Sequence, residues 1–138
     1  MLHLEFVVLG VPVSNQQGTP QGRANLTAWR AAVTAAARAA WNQATLSTSL
    51  KAVVINFYDT NRPSLDLDNM SKPILDSLEG TVYGNDRQIT QAELIHTPIA
   101  APFVFVGASS AIVSAVQAGN AFVYVRIEDP VLPFPLPG

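Results

Sequence analysis

A long run of alanines constrains the fold of this chain more than any other feature of its sequence. Residues 24–44 are rich in alanine, the residue with the highest helix propensity. Asn25 is a suitable cap for the start of a helix. The segment therefore predicts one long helix near the N-terminus, and its apolar side chains recur at the spacing of a single packing face. That face comprises Leu26, Trp29, Val33, Ala36, Ala37, Ala40 and Ala44.

The rest of the chain predicts short elements. Apolar and β-branched runs bounded by glycine, proline or asparagine indicate strands over residues 3–9, 50–58, 87–96, 103–106 and 121–127. Short helices are predicted over residues 69–79 and 109–118, and Gly80 suits the left-handed position after the first of them. Strands and helices mix without regular alternation, which favours an α+β fold: a small single domain with a mixed β-sheet packed by the long N-terminal helix and the short ones. We expect residues 1–129 to form this domain and the proline-rich residues 130–138 to form a tail.

Composition excludes some classes of site. The chain has no cysteine, which rules out disulfides and cysteine-based zinc sites, and this fits a cytoplasmic protein. Residues 94–125 contain no Asp, Glu, Lys or Arg, but prolines, Gly107 and Asn120 interrupt them, so no membrane helix is expected.

The acidic residues are unevenly distributed. The net charge is −2, and most of the ten acids lie between Asp59 and Glu93. Asp66 and Asp68 are two residues apart, and in an extended backbone they would point to the same side. Adjacent carboxylates repel each other unless a cation joins them, and Mg²⁺ prefers oxygen ligands. The pair alone is a weak signal, because surface loops often carry it.

The neighbouring charged residues are each ambiguous when taken singly. Lys72 lies where a helix N-terminus would favour a phosphate, but it could equally form a salt bridge with Asp68 or Asp76. Asp76 could simply be solvated or paired, and Asp86 could cap the turn in which it lies.

The combined pattern is more specific. Asp66-x-Asp68-Asn69-x-x-Lys72-x-x-x-Asp76-x-Leu78-x-Gly80, followed by Tyr83-x-x-Asp86-x-Gln88-Ile89, resembles the signature of the RusA family of Holliday junction resolvases. The resemblance extends more loosely to Val11-Pro12-Val13-Ser14, to the helix that contains Trp29, and to the last strand.

The resemblance implies a small α+β homodimer that needs Mg²⁺, with Mn²⁺ as a substitute. It implies that Asp66, Asp68 and Asp86 bind the metal and that Lys72 is catalytic, with Asn69 and Asp76 supporting the site. The activity implied is structure-selective endonuclease cleavage of four-way DNA junctions by phosphodiester hydrolysis, in recombination and repair. Such a chain would have branched DNA as its partner and no membrane partner.

Several features leave an alternative open. The turn reads Asn85-Asp86 where the family commonly has two acids, and only eight lysines and arginines are present. A non-catalytic module that binds branched nucleic acid on the same fold is the alternative, and a structural protein that binds metal only for stability is a second one. The arginine stripe of the long helix is either a solvated flank or a set of phosphate contacts. The residues assigned tentatively to DNA binding are Arg23, Arg30, Arg38, Arg62 and Arg87.

The two histidines are not expected to be catalytic. His3 and His96 lie in or near predicted strands, and neither has a second histidine at metal-ligand spacing.

Overall fold

A computed structural model describes residues 1–104 and 107–138. Four strands and three α-helices follow one another along the chain, and a 3₁₀ helix at Asp86–Gln88 precedes the third strand. The strands are β1 (Leu2–Leu9), β2 (Leu50–Tyr58), β3 (Ile89–Pro98) and β4 (Phe122–Glu128). The helices are α1 (Pro20–Ala40), α2 (Leu67–Leu78) and α3 (Ser110–Ala118).

The strands form one mixed sheet in the order β1-β4-β2-β3. β4 pairs antiparallel with both β1 and β2, whereas β2 and β3 run parallel. A parallel pair needs a long crossover connection, and here that connection holds α2 and the 3₁₀ helix. The predicted α+β class with a mixed sheet is confirmed.

Helix α1 begins and ends earlier than residues 24–44. The Thr19 side chain accepts a hydrogen bond from the Gly22 amide and caps the helix, and Pro20 occupies its first turn. The prediction that Asn25 caps the helix is wrong, since Asn25 lies inside it and its side chain accepts a hydrogen bond from Gln21. At the other end Trp41 is extended, which stops the helix at Ala40.

The other predicted elements differ from the structure by small shifts. β2 has the predicted bounds, and β1, α3 and β4 begin or end one residue away from theirs. α2 begins at Leu67, and β3 begins at Ile89 because the 3₁₀ helix takes up the residues before it. Residues 103–104 are not in a strand, and the remainder of the strand predicted at 103–106 lies outside the described residues.

The main core lies between α1, α2 and one face of the sheet. Val33 and Ile74 of the two helices pack against Val54 and Val125 of the sheet, and all four are fully buried. On the opposite face, Phe57 stacks on Phe122 with a 4.4 Å centroid distance, beneath α3. Helix α2 is thus fixed on the sheet along its apolar side, which leaves its other side for charged residues.

No helix in the described part of the chain is both long enough and apolar enough to span a membrane.

Candidate functional site

Asp66 is the N-cap of α2. Its Oδ1 accepts a hydrogen bond from the Asn69 amide at 2.8 Å, and Asp68 lies in the first helical turn. The extended backbone considered for Asp66 and Asp68 is not found, because α2 starts between them at Leu67. Both carboxylates nevertheless lie at the helix N-terminus, where the helix dipole stabilises negative charge.

One side of α2 and the 3₁₀ helix together line an open cavity of about 370 Å³. Asp68, Lys72 and Asp76 lie four residues apart, so they share a helix face, and Asp86 approaches them from the 3₁₀ helix. Five residues of the predicted signature, the four charged ones and Ile89, thus line the same cavity. The cavity is lined by Asp68, Ser71, Lys72, Leu75, Asp76, Asp86 and Ile89.

Asp66 lines a neighbouring cavity of about 800 Å³ instead. Asp68 belongs to both cavities and connects them. Within residues 1–104 and 107–138, no three acidic or histidine side chains are close enough to form a complete metal cage. The three acids assigned to the metal therefore line two adjoining cavities and do not form one cluster.

The donor set fits a hard divalent cation. The Asp68 and Asp86 carboxylates are exposed and, among the described residues, receive neither a protein hydrogen bond nor an ion pair. Mg²⁺ binds proteins through one or two carboxylates and keeps several waters. Two unpaired carboxylates beside one cavity meet that requirement, and Asp66 keeps one oxygen that is not used in capping.

Lys72 and Arg30 share a single carboxylate. Lys72 Nζ lies 3.4 Å from Asp76 Oδ2, and an Arg30 nitrogen lies 3.5 Å from the same oxygen. Arg30 also contacts the Asn15 side chain at 3.4 Å, which joins α1 to the loop before it. Asp76 thus holds Lys72 at the cavity, and the salt bridge expected as the simple interpretation of Lys72 is formed with Asp76.

The turn that carries Asp86 is fixed by side chains. The Asn85 side chain accepts a hydrogen bond from the Arg87 amide, and Gln88 accepts one from the Asn85 amide. The Asp86 amide donates to Glu79 Oε1 at 2.9 Å. Glu79 follows α2 directly, and no motif in the sequence singles it out.

Tyr83 connects that turn to α2. Its ring is fully buried, and its hydroxyl donates to the Leu75 carbonyl at 2.6 Å. The carbonyls in the last turn of a helix lack helical partners, so this hydroxyl caps the end of α2. Burial raises the pKa of Tyr83 well above 10, and the negative charges of Glu79, Asp76 and Asp86 raise it further.

Asn69 acts through its backbone in this structure. Its amide donates to Asp66, and its carbonyl accepts a hydrogen bond from the Asn15 amide at 3.0 Å. The position expected to support the site therefore links the start of α2 to the loop before α1.

The candidate DNA-binding arginines lie on three different elements of the chain, namely α1, the loop after β2 and the 3₁₀ helix. Arg30 is bound to Asp76 at the cavity. Arg23 and Arg38 are exposed on α1, Arg87 is exposed in the 3₁₀ helix, and Arg62 lines the cavity of Asp66.

His96 lies beside the site although no sequence pattern assigns it there. It lines the same cavity as Asp66, and its ring is hydrogen-bonded to the Leu65 carbonyl, directly before Asp66 in the chain. Sequence spacing carries no sign of this contact, because the partners are 31 residues apart.

The chain matches one family model, described as endodeoxyribonuclease RusA, over residues 13–107. The match covers more than half of the chain and includes every residue assigned above to metal binding, catalysis, support or DNA contact. No curated protein matches the chain.

Proposed function

The chain belongs to the RusA endodeoxyribonuclease family, and from this premise we propose that it is a Mg²⁺-dependent, structure-selective endonuclease. Its substrate is the four-way Holliday junction, which it resolves by phosphodiester hydrolysis in DNA recombination and repair. The observation that carries the proposal is the cavity in which the unpaired carboxylates of Asp68 and Asp86 lie beside Lys72.

The metal ligands proposed are Asp66, Asp68 and Asp86. A Mg²⁺ or Mn²⁺ ion held by these residues would reduce the repulsion between an anionic nucleophile and the anionic phosphate, and would lower the pKa of a bound water. The local charge supports this assignment, because Asp66, Asp68, Asp76, Glu79 and Asp86 outnumber the four cations around them, Arg30, Arg62, Lys72 and Arg87. A divalent cation relieves that repulsion.

Lys72 acts on the phosphate. Its side chain is more than half exposed, so DNA can reach it, while Asp76 limits where the ammonium lies. A positive charge held beside the scissile phosphate stabilises the charge that develops on the phosphoryl oxygens. Asp76 is therefore a positioning residue for Lys72.

DNA binding is expected to be modest and sensitive to salt. The exposed Arg23, Arg38, Arg62 and Arg87 are the proposed phosphate contacts, and each contact releases condensed counterions. A homodimer would supply two equivalent sites, which suits two symmetric nicks in a junction.

The decisive experiment is nicking of a labelled four-way junction at low salt, with and without Mg²⁺. We expect symmetric nicks that disappear with EDTA and in Asp66→Asn, Asp68→Asn and Asp86→Asn. Glu93→Gln, which neutralises an acid outside the cavity, is the matched control and should nick as the unmodified protein does.

Two other results are informative. An intact junction under all conditions, from a folded protein, would refute the catalytic role. If the junction then shifts in a gel without being cut, the protein is the non-catalytic binding module, an alternative favoured by the lack of a three-acid cage among the described residues.

A further inference from the structure

His96 connects the middle of the sheet to the loop before Asp66. It lies on β3, directly opposite Asn56 of β2 in the parallel register. The His96 Nδ1 is 3.1 Å from the Asn56 amide nitrogen, and the His96 Nε2 is 3.2 Å from the Leu65 carbonyl oxygen. Asn56 is only 1% exposed, so this bridge is anchored in the core.

The two partners determine which ring nitrogen carries the proton. The Leu65 carbonyl can only accept, so Nε2 must donate to it. The Asn56 amide nitrogen can only donate, so Nδ1 accepts from it. One neutral tautomer of His96 satisfies both contacts.

The loop that His96 holds has few hydrogen bonds, and Leu65 at its end also packs against the main core. Residues 59–65 join β2 to the cap of α2, and Asp59 bonds only to its neighbour Thr60. Within the described parts of the chain, the contact of His96 with Leu65 is the one hydrogen bond that ties this loop to another element. The Leu65 carbonyl also belongs to the peptide group that ends at the Asp66 nitrogen, so the bond fixes the peptide plane from which Asp66 departs.

We infer that His96 is a positioning residue that holds the Asp66 end of the proposed metal site on the sheet. The inference rests on the proposed function in so far as Asp66 binds the metal. Groups that orient the ligands of a metal affect its affinity although they do not touch it, and losing one typically weakens binding about 10- to 100-fold. His96 exerts this effect through the backbone of the loop.

Two substitutions of His96 separate positioning from packing. His96→Leu removes both hydrogen bonds, whereas His96→Gln keeps an amide donor that can reach the Leu65 carbonyl. His3→Leu is the matched control, because His3 is also a strand histidine with a hydrogen-bonded Nε2, but it bonds to Asp129 at the other edge of the sheet.

The first measurement is Mn²⁺ binding without DNA, by electron paramagnetic resonance, on variants shown to be folded. We expect His96→Leu to weaken binding by roughly tenfold or more, His96→Gln to recover most of that loss, and His3→Leu to bind as the unmodified protein does. Equal Mn²⁺ affinity in His96→Leu and the unmodified protein would overturn the inference, as would a glutamine variant as weak as the leucine variant.

The second measurement is amide hydrogen exchange over residues 59–69 in metal-free protein. We expect faster exchange in His96→Leu and near-normal exchange in His96→Gln. Unchanged exchange in the leucine variant would contradict the role of His96 even if the unmodified protein binds no Mn²⁺. Absence of nicking by the unmodified protein refutes the proposed function but leaves both of these measurements interpretable.

Discussion

Tyr83→Phe removes one oxygen atom from the core and tests how the site is held together. The hydroxyl is the donor to the Leu75 carbonyl at the end of α2, and the ring is fully buried. The substitution deletes this hydrogen bond and leaves the carbonyl without that partner, which costs about 1 to 2 kcal/mol. For a chain of this size, each kcal/mol lowers Tm by about 4 °C.

The assay for Tyr83→Phe is urea unfolding at neutral pH. The midpoint should fall while the m-value stays the same, because the surface exposed on unfolding does not change. Tyr58→Phe is the matched control, since Tyr58 is half-buried and its hydroxyl has no hydrogen-bond partner among the described residues. It should change the unfolding free energy by less than about 0.5 kcal/mol. A Tyr83→Phe protein as stable as this control would refute the assignment of the hydroxyl as a helix cap.

The same substitution has a pH signature. Burial and the surrounding acids raise the pKa of Tyr83 in the folded protein above its ordinary value of 10. The folded state therefore retains a proton that the unfolded state loses above about pH 10, so the hydroxyl contributes fully below that pH and less as pH rises. The difference in unfolding free energy between the unmodified protein and Tyr83→Phe should shrink above about pH 10. A difference that stays constant or grows there would contradict the assignment.

Two further predictions concern the glycine that follows α2 and the carboxylate that pairs with Lys72. Gly80 has φ +83°, a backbone conformation that strains an alanine. No atom lies within 4 Å of the position that an alanine Cβ would occupy, so a steric clash adds nothing. Gly80→Ala should therefore lower the unfolding free energy by about 1 to 2 kcal/mol through backbone strain alone. Gly18→Ala, equally open but without positive φ, should change it by less than about 0.5 kcal/mol in the same urea assay. Asp76→Asn releases Lys72 and Arg30 and should slow nicking at saturating Mg²⁺ roughly tenfold, the effect of about 1.4 kcal/mol on a barrier. Unchanged kcat in Asp76→Asn would show that Lys72 needs no such partner.

The fold is predictable from the sequence wherever the signal is local. β2 has its predicted bounds because apolar and β-branched residues fill it and polar residues follow it. The start of α1 differs from its prediction because the alanine run begins after Thr19 and Pro20, whose side chains determine the start. Local composition locates the elements, while capping residues fix their ends.

The site is predictable only in part: the sequence pattern identifies most of its residues, but it does not show contacts between residues that are far apart in the chain. The pattern from Asp66 to Ile89 identifies residues that line the cavity, since a helix and its following turn keep them close in the chain. The contact of His96 with Leu65 joins residues far apart in the sequence, and only the register of β2 against β3 brings them together. The capping role of Asp66 was not predicted, because α2 begins at Leu67, two residues before its predicted start at residue 69.

The position of the site inside the crossover has a consequence for the order of folding. Asp66, Asp68, Lys72, Asp76 and Asp86 all lie between the end of β2 and the start of β3. The two strands can pair only after this whole connection has closed into a loop, and such non-local pairing is slow to form. Catalytic competence should therefore be among the last properties that a refolding chain acquires, and an opening of the edge strand β3 that is too small to unfold the core would be enough to remove it.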